Sequence, residues 1–342
     1  MAVGIPSYRL PRKILKADID FIRGLGVEIK TNTPVGKKFT LEKLFQQGFR
    51  AVFLATGAHQ GMKLGIEGED LEGVMDAIAF LRMVNLGKKV SVGKSVAVVG
   101  EGNAAVDAAR TALRLGAKEV TMLYRRTREE MPASPEEIEE MIEEGIKIKF
   151  LAAPSKVIGK GKKVTGLECL SVELSNFDAS GRRRSVPKEG SEFVMDVDMV
   201  IAAISQVPDV SYVSKDIEAG KGNTIVVDPI TLATTKPGVF AGGDVVSGPA
   251  TVVEALHAGE EAAISIEKFL KGEDMKKNRL RVPPRRVDLP KAEEETKDMM
   301  RVKVPVTPMP KRVRNFDEAV KGYSLAKARE EARRCLRCDL EE

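Results

Sequence analysis

Apolar residues along this chain come in two kinds of run. Short blocks of consecutive apolar residues end in glycine, and behind them apolar positions return every three or four residues. Ser95-Val-Ala-Val-Val99 is such a block, Gly100-Glu-Gly-Asn-Ala-Ala105 is the turn after it, and residues 106–115 have a helical period closed by Gly116. Glu119-Val-Thr-Met-Leu-Tyr124 is the next block. Buried block, amphipathic stretch and buried block in that order predict a βαβ unit and a parallel sheet.

The same pattern extends in both directions. Residues 10–24 place Ile14, Leu15, Ile19 and Ile22 near helical spacing, and Gly24 and Gly26 stop the helix. Residues 27–30 and 51–55 are expected as short buried strands. Ser134-Pro-Glu-Glu137 predicts a helix start, with serine at the cap, proline first and glutamate three residues after the cap. Strands are expected around residues 147–151, 164–174, 197–204, 224–227 and 239–241. A helix over residues 250–270 follows the turn Gly242-Gly243-Asp244 and carries Val253, Leu256, Ala263 and Ile266 on one side. Residues 324–338 return to helix, with a stripe of Leu325, Ala328, Ala332 and Leu336.

Composition bounds the function. The 342 residues suffice for two domains, and no run of about 18 apolar residues suggests a membrane span. The first residues, MAVGIPSYRLPRK, lack the apolar stretch of a secretory signal, so the cytoplasm is the expected location. Three cysteines rule out a disulfide framework, and two histidines, His59 and His257, rule out a histidine-rich metal site. The net charge of +5 is local: residues 273–315 hold 13 Lys/Arg against 7 Asp/Glu, which leaves the rest at −1. That segment also holds six of the 17 prolines and reads as an extended strap. Without interleaved aromatics or a recognition helix it is expected to lie on an acidic neighbouring surface rather than on nucleic acid.

The chemistry centres on the glycine turn. Gly100 permits a tight turn, Gly102 lets a pyrophosphate approach the backbone, and Ala105 is small enough for helix and strand to pack. The helix amino end offers unpaired N–H groups, so Gly100, Gly102, Asn103, Ala104 and Ala105 form a candidate dinucleotide site. An NAD reader would place Asp or Glu at the end of the second strand. Here that place holds Tyr124-Arg125-Arg126-Thr127-Arg128, so NADP is favoured and NAD stays open. Two small-residue turns, at Thr56-Gly57 and at Gly243-Asp244, are places where a second ligand can approach the backbone, or plain turns.

Five segments in order carry a family resemblance: Gly4-Ile-Pro-Ser-Tyr-Arg-Leu-Pro11, Phe53-Leu-Ala-Thr-Gly-Ala58, Val98-Val-Gly-Glu-Gly-Asn-Ala-Ala-Val-Asp107, Tyr124-Arg-Arg-Thr-Arg-Glu-Glu-Met-Pro-Ala133 and the stretch from Gly238 to Glu254. Over about residues 4–272 the chain resembles the NADPH-dependent glutamate synthase small (beta) subunits, a branch of the pyridine nucleotide-disulfide oxidoreductase superfamily. The resemblance implies an α/β fold in which a Rossmann-like NADPH domain interrupts an FAD domain. It further implies hydride transfer from NADPH to FAD, with electrons passed on to an iron–sulfur partner or a large subunit. By position, Arg125 and Arg126 would hold the 2′-phosphate, and Thr56 and Gly57 would lie near FAD. Gly243 and Asp244 would take the ribityl and pyrophosphate region, and Ala250, Thr251 and Val252 would aim a helix dipole at the flavin. No side chain is expected to act as a catalytic acid or base.

The chain departs from that family in three places. The opening βαβ unit of the FAD domain, expected before Gly4, has no counterpart in these residues; a fragment, a misplaced start, or another segment or chain that supplies that half is expected. Ser205 stands in Ala203-Ile-Ser-Gln where glycine is usual. No redox-active cysteine pair stands near the flavin, and Cys169 is expected as a small core residue. Cys335-Leu-Arg-Cys338 resembles the ends of relatives that sit beside iron–sulfur proteins. It supplies two of the four ligands of a [4Fe–4S] cluster, with zinc or an unliganded reduced pair as alternatives.

The expected organisation is a partial FAD domain over residues 1–60, a connection over 61–90, and the NADPH domain over 91–205. The second FAD segment spans 206–272, the strap 273–315, and a terminal helix with the CxxC 316–342. The expected function is that of a flavin-linked NAD(P)H oxidoreductase subunit or fragment with no nucleic-acid role. A non-catalytic nucleotide-binding or assembly subunit and an electron-bifurcating relative are the alternatives.

Overall fold

The computed structural model describes residues 1–36, 39–177, 181–279 and 300–334. It opens with α1 (Arg12–Gly24), α2 (Leu41–Gln46), β1 (Val52–Leu54) and β2 (Gln60–Gly61). Next come β3 (Val74–Asp76), α3 (Ala77–Asn85), β4 (Ser95–Gly100), α4 (Asn103–Arg114), β5 (Glu119–Tyr124), α5 (Pro135–Glu143) and β6 (Lys147–Phe150). Three longer strands follow, β7 (Ala152–Lys160), β8 (Lys163–Phe177) and β9 (Arg183–Asp196), then β10 (Met199–Ala203) and β11 (Gln206–Val207). The chain continues through β12 (Val239–Ala241), α6 (Asp244–Ser247), α7 (Val252–Lys271), α8 (Met309–Arg312) and α9 (Leu325–Arg333). No helix among the described residues is long and apolar enough to cross a membrane.

The central sheet is five-stranded and parallel, in the order β3-β10-β4-β5-β6. Its inner strands β10 and β4 are apolar on both faces because both are covered, whereas the edge strand β6 exposes Lys147 and Lys149. Val96, Val98, Val120, Met122, Met199 and Ile201 pack on one side with residues of α3, α4 and α5. Ala97, Val99, Leu123 and Val200 point the other way, onto Val157, Leu167 and Cys169 of an antiparallel sheet ordered β7-β8-β9. Cys169 is fully buried, and burial pushes its thiol up to about 12, as suits an inert core residue.

Several expectations change here. The region expected as a connection over 61–90 contributes β3 and α3 to the central sheet, so this unit begins near Val74. Asp76 starts α3 by accepting from the Ala79 amide at 2.9 Å. Residues 27–30 form no strand: Val27 and Ile29 are 50% and 41% exposed. Residues 224–227 form only an isolated bridge between Ile225 and Ala219. Ser134 does cap α5 by position, but its hydroxyl turns to Glu136 at 2.9 Å and its amide donates to Asn103 Oδ1 at 3.1 Å.

The second parallel element is small. β1 and β12 pair in parallel over three residues, and Leu54, Val239, Ala241 and Val245 form a core with Leu41, Ile217 and Ile225. On α7 the expected apolar stripe is not the buried one. Ala262 and Ser265 are buried, whereas Val253 and Leu256 are 74% and 65% exposed. Phe21 on α1 and Leu25 just after it are each 69% exposed.

The carboxyl-terminal segment closes over the junction. Ser7 Oγ donates to the Phe316 carbonyl at 3.0 Å, Ala319 N to the Tyr8 carbonyl at 2.9 Å, and Thr307 N to the Ala319 carbonyl at 2.8 Å. Arg301 pairs with Glu136 at 3.1 Å, and buried Arg312 pairs with Glu143 at 3.0 Å and Glu144 at 3.2 Å. Over residues 300–315 the basic segment therefore lies against the acidic face of α5, while at its start Lys276 pairs with Asp228 at 2.7 Å and Arg279 with Glu261 at 2.5 Å.

Candidate functional site

β4 ends at Gly100, beside Ala203 at the end of β10. Gly100 has φ +155°, and a Cβ there would overlap the Ala203 carbonyl oxygen, so the turn requires glycine. Gly102 is different. It caps α4 with φ −91° and ψ 177°, a conformation any residue adopts, and a Cβ there would meet only open space. What Gly102 keeps clear is room in front of the α4 amino end, the position at which a glycine turn of this type can hold a pyrophosphate. Ala105 is fully buried against the sheet, Ala104 follows Asn103 in the first turn, and Asn103 braces the Ser134 amide.

The arginines after β5 separate into two roles. Arg125 is exposed, whereas Arg126 is 3% exposed and donates from Nε to the Arg183 carbonyl at 2.6 Å. Arg126 thus ties the start of β9 to the end of β5. Arg183 returns the tie, through Nε to Glu130 at 2.5 Å and Nη2 to Thr127 Oγ1 at 3.3 Å. Those bonds hold the Glu130 carboxyl low, at about 2. Glu101, inside the glycine turn, faces the same arginines. Burial pushes its carboxyl up, and Arg125, Arg182 and Arg126 pull it back only in part.

Behind α4 lies a buried charge network that the sequence pattern did not single out. Arg110, 1% exposed, meets Glu137 at 2.7 Å and Glu140 and Glu144 at 2.8 Å. Arg114 meets Glu144 at 2.7 Å and lies over the Tyr8 ring at 3.9 Å. Asp107 meets Arg9 at 2.7 Å. Burial lifts the Asp107 carboxyl to about 7, against the pull of Arg9. The only sequence signal was two arginines four residues apart on a helix otherwise rich in alanine.

The second candidate site lies at the end of β12. A cavity of about 320 Å³ is lined by Ala55, Gly57, Gly243, Asp244 and the residues Ala250, Thr251 and Val252 that open α7. Gly57 and Gly243 have φ +71° and +70°, and Gly242 has no room for a Cβ beside Phe53. Asp244 Oδ1 accepts from the Ala250 amide at 3.3 Å, and burial raises its carboxyl. A capping box starts α7: Thr251 Oγ1 accepts from the Glu254 amide at 3.2 Å, and Glu254 accepts from the Thr251 amide at 2.8 Å. Thr56 stands apart from these lining residues and hydrogen-bonds Tyr212 at 2.6 Å. Cys335 and Cys338 lie outside the described residues. Among the described residues no group of three or more His, Cys, Asp or Glu is placed to hold a metal ion.

A dinucleotide-type turn on a parallel sheet, beside a second glycine-rich cavity, is the layout of two-nucleotide flavin oxidoreductases. The sequence profile of the pyridine nucleotide-disulphide oxidoreductases matches residues 11–259, and the chain belongs to that family. It is 44% identical to the NADP(+)-dependent formate dehydrogenase subunit beta of Moorella thermoacetica, over 99% of this chain and 49% of that protein. It is 36% identical to the glutamate synthase [NADPH] small chain of Escherichia coli, over 79% of this chain and 61% of that protein. The chain therefore spans about half to three fifths of these curated relatives. Mycobacterium tuberculosis FprA in complex with NADPH shares the fold, with a TM-score of 0.65 at 18% identity over 79% of this chain and 75% of that one.

Proposed function

We propose that this chain is the NADPH-oxidising part of a flavin-linked oxidoreductase that delivers electrons to an iron–sulfur partner or large subunit. One observation carries the reading: Gly100 is locked by Ala203, while Gly102, two residues on, borders open space at the α4 amino end. A turn built only for packing has no need of the second glycine. The names of the relatives, an NADP(+)-dependent subunit and an [NADPH] small chain, support the choice of nucleotide.

In this reading residues 74–203 bind NADPH. Gly102, Asn103 and Ala104 present amides to the pyrophosphate, with Arg125 at the 2′-phosphate and Arg126 as the strut behind it; Ala105, expected among these amides, instead donates to the Gly102 carbonyl at 2.9 Å and packs the helix on the sheet. Gly57, Gly243 and Asp244 fit a cofactor with a polyol and a pyrophosphate, because they combine left-handed glycines with a carboxylate acceptor at a cavity. Bound FAD would supply the acceptor that takes a hydride and releases single electrons. The α7 amino end would favour negative charge on it, and Asp244 would fix its orientation through hydroxyl hydrogen bonds. No residue has to move a proton; positioning by the two turns carries the rate. Cys335 and Cys338 are assigned to half of a [4Fe–4S] site completed elsewhere, and the protein to the cytoplasm, which a buried free thiol suits.

The test is a titration of the purified full chain with NADPH and with FAD, followed by NADPH-dependent dye reduction. Micromolar NADPH binding and dye reduction that requires flavin are expected. A chain that is folded yet binds no NADPH would overturn the reading.

A further inference from the structure

The glycine turn carries an unexpected charge. Glu101 sits between Gly100 and Gly102, where an incoming nucleotide is itself an anion. Its carboxylate lies 3.9 Å from Arg182, and the two side chains are 17% and 39% exposed. Arg125 and Arg126 act on the same carboxylate. Glu101, at the end of β4, thus pairs with Arg182 and feels the charge of the arginines at the end of β5, the place where a ribose 2′-substituent lies in this fold.

Arg182 comes from a separate element. It immediately precedes β9, on the hairpin of β8 and β9, and two neighbours fix that hairpin beside the turn after β5. Arg183 bonds Glu130 at 2.5 Å and Thr127 at 3.3 Å, and Arg126 bonds the Arg183 carbonyl at 2.6 Å. An ion pair as long as that of Glu101 with Arg182, with the arginine so exposed, adds little to stability. Burial meanwhile disfavours the charge on Glu101. The arrangement makes poor sense as a structural bridge and good sense as an anion site held by an internal carboxylate.

We propose that Arg182 reads the nucleotide 2′-phosphate together with Arg125, and that Glu101 occupies this arginine site until the phosphate displaces it. The proposal rests on the NADPH reading above and adds the residues that set nucleotide choice. A phosphate carries more charge than a carboxylate and offers three acceptor oxygens, so it wins the guanidinium groups. A 2′-hydroxyl brings no charge and leaves the Glu101 pairing in place. Discrimination between the two nucleotides would then come from exchange of one anion for another.

The experiment is calorimetric titration of the full chain and its variants with NADPH and NADH, each variant first checked for an unchanged melting curve. Arg182→Ala is expected to weaken NADPH about tenfold, the value of one charge-assisted contact, and to leave NADH within about twofold. Glu101→Gln is expected to strengthen NADPH severalfold, and this gain should shrink in the Arg182→Ala background. Equal weakening of both nucleotides in Arg182→Ala, or weaker NADPH binding in Glu101→Gln, would overturn the proposal. Should Arg182→Ala not fold, Arg182→Gln and Glu101→Gln decide the same question. Wild-type chain that binds neither nucleotide refutes the NADPH reading itself; wild type that prefers NADPH with variants that keep the same ratio refutes only the roles of Arg182 and Glu101.

Discussion

β4 has β10 on one side and β5 on the other, and its sheet has helices on one face and an antiparallel sheet on the second. β1 pairs over three residues with β12, and neither strand has another parallel neighbour among the described residues. Both regions use the same ingredients, apolar strand blocks ending in glycine turns. In the first, Val98, Met122 and Ile201 are sealed from water; in the second, α7 leaves Val253 and Leu256 in solvent. Each large apolar side chain left outside forgoes roughly 1.5–3 kcal/mol of burial. The difference teaches that a short strand pair can bury its own residues, Val239 and Ala241 among them, while the helix beside it is sealed only where further layers cover it.

Five substitutions probe this contrast. The largest effect is expected for Glu144→Ala, which strands buried Arg114 and takes one carboxylate from each of Arg110 and Arg312. Burial pushes the Glu144 carboxyl up but bonds from Arg114 and Arg110 more than offset this, so it stays charged. Loss of that partner should cost about 3–5 kcal/mol by chemical denaturation. Because the folded pKa is depressed, the stabilisation is present above the unfolded value near 4 and disappears on acidification. Gly100→Ala comes next, at about 3 kcal/mol from strain and overlap with Ala203, visible as a lowered melting temperature.

Asp107 has the opposite pH signature. Its folded pKa of about 7 lies above the unfolded value. Its contribution is therefore complete at low pH and lost as pH rises through about 7, and Arg9, Arg110, Glu137 and Tyr8 are the groups that face it. Wild-type stability should fall by roughly 2 kcal/mol between about pH 5 and pH 7 from this group, and Asp107→Asn should flatten that slope. Gly102→Ala is expected to melt like wild type yet bind NADPH about tenfold more weakly, the reverse of what a packing glycine would show. The smallest change is expected for Leu256→Ser, within about 0.5 kcal/mol, because the side chain already faces water. A large loss there would show that the smaller unit is covered in solution and would break the contrast.

Strands β4, β5 and β10 were legible from dense apolar content, and β4 also from the glycine turn after it, whereas β3, only three residues long, was not. The site at Gly100 and Gly102 was legible from that same turn. Residues 152–196 were harder. The strands β7 and β9 contain lysine, glutamate, serine and glycine on their outer face, and only β8 has a dense apolar run. The helix α3 escaped notice because its start depends on Asp76, whose capping bond a periodicity search does not see. Val27 and Ile29 have strand-forming side chains but no ladder partner among the described residues, and propensity alone does not make a strand. The split between Arg125 and Arg126 was invisible for a related reason: a backbone carbonyl 57 residues away, that of Arg183, decides which guanidinium is a strut.

The bond from Ser7 to Phe316 spans 309 residues. During synthesis the Tyr8 segment must wait for some 309 further residues before its final partners exist, and closing so long a loop is entropically slow to reward. The run β4, α4, β5, α5 and β6, which follows on within residues 95–150, can form on the ribosome long before that, and β10 then completes the sheet between β3 and β4. Assembly of the chain should therefore run in two kinetic stages, an early one reported by burial of the central sheet and a late one reported by the Tyr8 ring as Phe316 and Arg114 close around it.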